Sequence, residues 1–328
     1  MKQLRLTNYN QDKHVLEKYK TLKEVEIPDN VSKLLDYCFA GCEQLTKIVF
    51  SKNIEEIDNF SFLNCYSITS ISLPQSVTKI GDSCFENCGN LKEINLPSNL
   101  LEIGQSAFKN CDNLISINIP KYVRCIHDST FEHCIRLTNI TLPMIKYIGK
   151  SAFKECGSLN NIVIPITVRN IGESAFMSCA SLYSINLPSD VIIIPDYCFY
   201  QCYELHAVKM SDNVKSIRNC AFNGCTKLDS IVLSKNLERI EAKVFTKNMI
   251  IYYKNDEFHL NDLYFMEEQQ ITTALAISDN ADKGAIQKLE NKLNILYNFI
   301  DFDNFAVEFP TLRSIKVQQN KGWLSKII

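Results

Sequence analysis

Fourteen cysteines and five histidines stand in this chain of 328 residues, and thiols and imidazoles are the side chains best suited to metal binding and nucleophilic attack. Three cysteine pairs, Cys38/Cys42, Cys84/Cys88 and Cys198/Cys202, have three intervening residues, within the range used by zinc ligands. His127, with Cys125, His133 and Cys134, makes one mixed cluster. The sequence has no glycine-rich phosphate loop, no Gly-x-Ser-x-Gly and no His-Glu-x-x-His. Acid pairs such as Glu55-Glu56 and Glu267-Glu268 read as solvated surface.

What these residues mean depends on the elements that carry them, and those elements repeat. Phenylalanine stands at 39, 62, 85, 108, 131, 153, 176, 199, 222 and 245, a step of 23 residues except for 22 between 131 and 153. Three residues after nine of these comes cysteine, from Cys42 through Cys225. Leu follows three further on, with Ile68 the exception, then Ile or Val, a spacer, an apolar residue and usually Pro. A second aliphatic pair, such as Val77 and Ile80, leads into the next unit. The short step falls between Pro143 and Ile145, in a turn, so every apolar slot keeps its place.

This periodicity decides the cysteines. The first members of the three pairs share a slot with Ala107, Ala152, Ala175 and Ala221, which marks a small buried position and not a ligand. Stacked units place equivalent side chains about 4.7–4.9 Å apart on parallel vectors. A disulfide needs Cβ atoms about 3.5–4.5 Å apart and aimed at each other. The expectation is a buried, small apolar column of free thiols in a reducing compartment. His127 fills a turn slot that holds glycine elsewhere, and His133 a variable one, so no metal is expected there.

One unit can be read physically. Leu-x-x-Ile-x-Leu alternates with period two, so it predicts a short strand. Pro ends it, having no N–H for a ladder. The second aliphatic pair predicts a second short strand. Gly81, Gly104, Gly149 and Gly172 suit unusual backbone angles. The Ala-Phe-x-x-Cys stretch predicts one helical or 3₁₀ turn. About eight inward residues per unit cannot make a core alone, but stacked neighbours bury a continuous one.

Residues 73–96, Leu-Pro-Gln-Ser-Val-Thr-Lys-Ile-Gly-Asp-Ser-Cys-Phe-Glu-Asn-Cys-Gly-Asn-Leu-Lys-Glu-Ile-Asn-Leu, follow the pattern closely, and it runs from about Leu22 to Phe245. In these residues the chain resembles the BspA-type leucine-rich repeat. That family is known from surface proteins of bacteria and from surface antigen-like proteins of protists. The resemblance implies a curved leucine-rich-repeat solenoid of about ten 23-residue units, with short parallel β-strands and helical or 3₁₀ turns. It also implies adhesion or protein interaction, and brings no catalytic residue.

The ends depart from the repeat. Residues 1–21 read as a degenerate N-terminal repeat or cap, with Leu4 and Leu6 in strand slots, and residues 22–254 as the solenoid. Met249-Ile-Ile-Tyr-Tyr253 suits a closing strand. Residues 255–328 read as a partly helical C-terminal cap or accessory segment. Leu263, Met266, Ile271, Ala274 and Leu275 suggest one helix. Ile286, Leu289, Leu293, Leu296 and Ile300 fit an amphipathic helix of about four turns, docking as a cap or recruiting a partner. Leu312-Arg-Ser-Ile315-Lys-Val317 again resembles the repeat strand.

The outward positions of the first strand make the candidate site. They are Ser70, Ser72, Asn95, Ser116, Asn118, Asn139, Thr141, Asn161, Ser184 and Asn186, with Tyr183 at a flanking position, and Glu93 and Val163 interrupt the row. Neutral donors and acceptors pair with a ligand without the desolvation cost of charges. The expected function is a non-catalytic scaffold binding a protein partner through this concave face. The alternatives are a surface adhesin binding a glycan or host matrix protein, and an enzyme with its site in residues 255–328. No cofactor and no metal are expected. A formal net charge of -2 argues against nucleic acid, and no run of about 18 apolar residues predicts a membrane helix. The first residues, Met-Lys-Gln-Leu-Arg-Leu-Thr-Asn, have no apolar signal region, so the expected location is cytoplasmic, with the cell surface as the alternative.

Overall fold

Alternation of apolar and polar residues over three positions is enough for a strand only if a neighbour supplies the ladder, and here the neighbour is always the next repeat. A computed structural model describes residues 4–5, 21–241, 243–246, 250–253 and 256–259. The chain coils so that each turn adds one strand to each of two parallel ladders, except in the first ladder at residues 161–163. In the first ladder Ser70–Ser72 pairs with Glu93–Asn95, and Ser116–Asn118 with Asn139–Thr141. In the second, Glu56–Ile57 pairs with Lys79–Ile80, which pairs with Glu102–Ile103. Most strands have one buried residue, such as Ile71 between exposed Ser70 and Ser72 or Ile80 beside half-buried Lys79. Lys33, Glu56, Lys79 and Glu102 stand side by side in the second ladder, so opposite charges alternate down that row.

Inside, the phenylalanines form one column. Successive rings from Phe39 to Phe245 stack with centroids 5.2–5.8 Å apart and planes within 13°. That is the offset-stacked range favoured by aromatic quadrupoles. The column lies in a single apolar core with the Leu, Ile and Cys slots of every turn.

The third face differs from the expected helical or 3₁₀ turns: among the described residues there is no helix. The reason lies in how its amides are shared. Tyr37, Phe39 and Gly41 donate to Asn59, Ser61 and Leu63 of the next turn at 2.7–3.0 Å, while Cys38, Ala40 and Cys42 donate three residues back at 3.1–3.2 Å. Every second N–H is thus taken by a neighbouring turn, so consecutive helical bonds cannot form. The alternation needs left-handed residues two before and two after each Phe, as at Ser83 (φ 50°) and Asn87 (φ 61°). Gly41 (φ 73°) and Gly224 (φ 84°) supply two of them, but the expected Gly81, Gly104, Gly149 and Gly172 supply none. A Cβ on Gly104 would lie 2.5 Å from the amide nitrogen of Asp82 and the carbonyl carbon of Gly81, so this glycine permits close approach of two turns.

The ladders are not continuous. The first has no strand at residues 161–163. The second is unpaired between Asn170–Ile171 and Ile193–Ile194. There Pro195 occupies the slot from which Gly172 donates to Ile148 and Arg218 to Ile194, and proline has no N–H to give. At the N-terminal end Leu4–Arg5 pairs in parallel with Val25 and Glu26. At the other end Ile250–Tyr253 joins Ser230–Val232 and turns back into the antiparallel strand Asp256–His259. The predicted helices of 255–328, the strand at 312–317 and most of residues 1–21 lie outside the described residues.

Candidate functional site

The first ladder holds its outward row by strand alternation alone. All eleven predicted positions, Ser70, Ser72, Asn95, Ser116, Asn118, Asn139, Thr141, Asn161, Tyr183, Ser184 and Asn186, are exposed. Register sets them side by side: Ser72 faces Asn95, Asn118 faces Thr141, and Ser184 faces Ala207. Asn161 is exposed but stands outside a strand. Two of these residues spend a side-chain donor within the chain. Asn95 Nδ2 donates to Ser72 Oγ at 3.2 Å, and Asn139 Nδ2 to Thr138 Oγ1 at 3.1 Å.

The sequence reading named Val163 and Tyr183 on this face and missed the ring that Tyr183 packs against. Tyr183 stacks on His206, with ring centroids 4.4 Å apart. His206 is Tyr183 advanced by one 23-residue step, and that step was the available signal. Val163 is 75% exposed and Tyr183 58%, so the interruption of the polar row is an apolar projection beside an aromatic one.

The cysteine column does more than fill space. Cys65, Cys88, Cys111, Cys134, Cys156, Cys179, Cys202 and Cys225 each place Sγ 3.1–3.3 Å from the carbonyl oxygen of the Phe one turn back. The thiol is therefore a donor to the neighbouring turn, and the purely apolar reading is corrected. Alanine can fill the slot before Phe but cannot make this bond, and the slot after Phe holds cysteine in nine successive turns. Burial pushes these thiols up, Cys88 and Cys225 to about 12 and Cys42 to about 11. No disulfide joins any of the fourteen.

The mixed cluster is not assembled as one site. Cys125 Sγ lies 3.2 Å from His127 Nε2. His133 turns to Asp112 at 3.2 Å and Glu155 at 3.6 Å, while Cys134 points into the core toward Phe108. Among the described residues no group of three metal-ligating side chains converges. An open groove of about 1170 Å³ runs beside the second ladder, floored by Ile192, Ile193 and Leu237. Its charges pair with one another, as Arg169–Asp190 at 3.4 Å, Lys215–Glu238 at 2.8 Å and Lys235–Asp212 at 3.6 Å.

Comparison with known proteins agrees with this geometry. The family model for the BspA type leucine rich repeat region matches residues 12–138 and 124–252. A leucine-rich repeat protein from Bacteroides ovatus is 26% identical with a TM-score of 0.56, over 72% of this chain and 74% of that one. A leucine rich cell surface protein from Faecalibacterium prausnitzii is 22% identical with a TM-score of 0.47, over 69% and 79%. The leucine rich repeat protein of T. pallidum is 28% identical with a TM-score of 0.39, over 48% and 64%. The first of these supports a shared solenoid fold. No curated protein matches the sequence.

Proposed function

The chain belongs to the BspA-type leucine-rich-repeat family, and from that premise we propose that it is a non-catalytic scaffold that binds a partner protein through the outward face of its first ladder. Repeat proteins of this kind typically mediate protein interactions and are generally non-catalytic. The observation that carries the choice of face is the state of its polar groups. Of the eleven exposed positions, Asn95, Ser72 and Asn139 hydrogen-bond to a side chain of the same molecule and Tyr183 stacks on one, so the polar groups of the others are open to a ligand. Strand spacing of about 4.8 Å sets these groups, on six successive turns, in a row about 24 Å long, which suits a protein surface better than a small molecule. Tyr183, stacked on His206 and next to exposed Val163 in sequence order of turns, supplies the aromatic anchor that interfaces favour. Buried free thiols in nine successive turns support a reducing, cytoplasmic setting.

The test uses a partner isolated by capture on the full chain. Asn118→Lys, Asn139→Glu, Thr141→Lys, Asn161→Glu and Tyr183→Glu are made together, and circular dichroism checks the fold. Affinity is expected to fall at least about 100-fold, because desolvated anchors dominate interfaces. It should depend weakly on salt in the parent chain, since few ions line the row. A folded variant that binds as tightly as the parent removes this face from the function.

A further inference from the structure

The corners that follow the first ladder are polar in most turns, as at Lys52-Asn53, Ser98-Asn99 and Asp212-Asn213. Three consecutive turns break that rule on one flank. Their corners project Tyr122, Met144 and Ile166, which are 41%, 58% and 74% exposed. Beside them lie four exposed cations, Lys121, Arg124, Lys146 and Arg169. The turns are in contact: Lys146 N donates to Arg124 O at 2.9 Å, Arg169 N to Lys146 O at 3.0 Å, and Thr167 Oγ1 lies 4.0 Å from Met144 Sδ.

Arg169 pairs with Asp190 at 3.4 Å, but among the described residues no carboxylate lies within ion-pair distance of Lys121, Arg124 or Lys146. Lys121 instead sits over the Tyr122 ring, 4.6 Å from its centroid. Two acids of these and the preceding turn, Glu102 and Asp128, are engaged elsewhere. Glu102 is held by Lys79 at 3.6 Å, and Asp128 accepts from Lys150 N at 2.8 Å and Tyr147 Oη at 3.2 Å. A cationic and apolar flank on a chain of net charge -2 calls for an anionic and apolar complement.

That complement is written in the same polypeptide. Residues 297–309 read Tyr-Asn-Phe-Ile-Asp-Phe-Asp-Asn-Phe-Ala-Val-Glu-Phe, with three carboxylates, four phenylalanines and no cation. We infer that this segment docks on the flank of its own solenoid, its carboxylates on Lys121, Arg124 and Lys146 and its phenylalanines against Tyr122, Met144 and Ile166. The reach is ample. From His259 to Tyr297 there are 38 residues, about 125 Å of extended chain. The flank lies four to six turns from Ile250–Tyr253, about 20–30 Å at strand spacing. Four cations are too few for a nucleic-acid footprint. A lipid headgroup would use the charges and leave the match of aromatic residues unexplained. The docked segment covers the corners and the second ladder, so the outward row of the first ladder stays open and the two bindings are separable.

The experiment uses the full chain at low concentration. Carbodiimide coupling should join Lys121 or Lys146 to Asp301, Asp303 or Glu308 within one molecule. A tether gives an effective concentration of about 1 mM, so a segment with a Kd of about 0.1 mM slows acetylation of Lys121 and Lys146 about tenfold. In Asp301→Lys/Asp303→Lys/Glu308→Lys that protection and the cross-links should vanish. Arg124→Glu/Lys146→Glu/Arg169→Glu should likewise free Lys121, and combining the two triple variants should restore its protection. Equal acetylation in the parent and the first variant, with no such cross-links, overturns the inference. Cross-links found solely between differently labelled molecules overturn it as well. So does unchanged acetylation accompanied by binding to phosphatidylserine vesicles that the cation variant loses.

Discussion

Removing one ring from the phenylalanine column tests whether the molecule is held turn by turn. Phe153 is fully buried, and its ring lies 5.5 Å from Phe131 and 5.4 Å from Phe176, both with planes 9° apart. A buried phenylalanine removes about 150–250 Å² from water. At about 25 cal/mol per Å² that is about 4–6 kcal/mol, an upper bound because unfolded chains already hide some surface. Measured Phe→Ala losses of about 3–5 kcal/mol agree, so Phe153→Ala is expected to cost about 4 kcal/mol. Phe39 stacks on one ring of the column, Phe62 at 5.2 Å, where Phe153 stacks on two. Phe39→Ala should therefore cost about 1 kcal/mol less. Phe153→Leu, which keeps apolar volume and loses the stacking, should cost about 1–2 kcal/mol.

Because a solenoid need not unfold in one step, the readout is hydrogen exchange resolved along the chain. A loss of 4 kcal/mol raises opening about 1000-fold. The rise is expected in the turns from residue 131 to residue 176 and should fade with each interface crossed, leaving the turns around Phe62 unchanged. Uniform loss of protection from one end to the other refutes turn-by-turn stabilisation. Equal costs at Phe39 and Phe153 refute the share assigned to stacking.

Two further outcomes follow from the same core. Burial raises the column thiols, Cys42 to about 11 and Cys88 and Cys225 to about 12, above an unfolded value of about 8.5, so the stability they lend is full below pH about 8.5 and is lost as pH climbs toward the folded values. Urea midpoints should be flat from pH 7 to 8 and fall steadily above about 9, with native alkylation at pH 8 confined to half-buried Cys125 and Cys220; a flat profile to pH 11 contradicts this. Gly104→Ala should destabilise by about 1–3 kcal/mol because its Cβ meets backbone of the neighbouring turn at 2.5 Å, and a thermal midpoint equal to the parent's contradicts the close-approach role.

The columns were legible because one interior must accept the same side chain at every turn. Phe85, Leu91 and Ile94 sit where the 23-residue step puts them, and all are buried. The short corner at Pro143–Ile145 was legible for the same reason: Cys125, Tyr147 and Asn170 stay in register across it. The third face was not legible. Its left-handed slots two before Phe hold Phe60, Ser83, Tyr197 and Cys220, types with no common preference for positive φ, because tertiary bonding between turns imposes the conformation, while Gly41, Asn64, Asn87, Asn110 and Gly224 two after Phe do favour it and were the signal available. The cysteine bond was half legible. Nine cysteines with no alanine among them exceeded what a small buried slot requires, and the acceptor, a backbone carbonyl of the previous turn, leaves no trace in sequence.

The surface rows show why polarity alone does not mark a binding face. Along the third face Asn87 Nδ2 donates to Asn64 Oδ1 at 2.7 Å and Asn110 Nδ2 to Asn87 Oδ1 at 2.6 Å, so these amides are spent on holding turns together. Beside them Asn59 Oδ1 accepts from Asp82 N, and Asp82 Oδ1 from Gln105 N, both at 2.8 Å. A ligand approaching those rows would have to break bonds that stabilise the stack. In the first ladder the backbone already joins the turns, so the outward side chains are not needed for that task. Asn118, Thr141, Ser184 and Asn186 are exposed and bonded to no side chain of the molecule, and a partner gains their hydrogen bonds at the cost of displacing water alone. The same fold thus holds polar rows of two kinds, and the row whose bonding capacity is left over is the one through which we propose that the chain binds a partner.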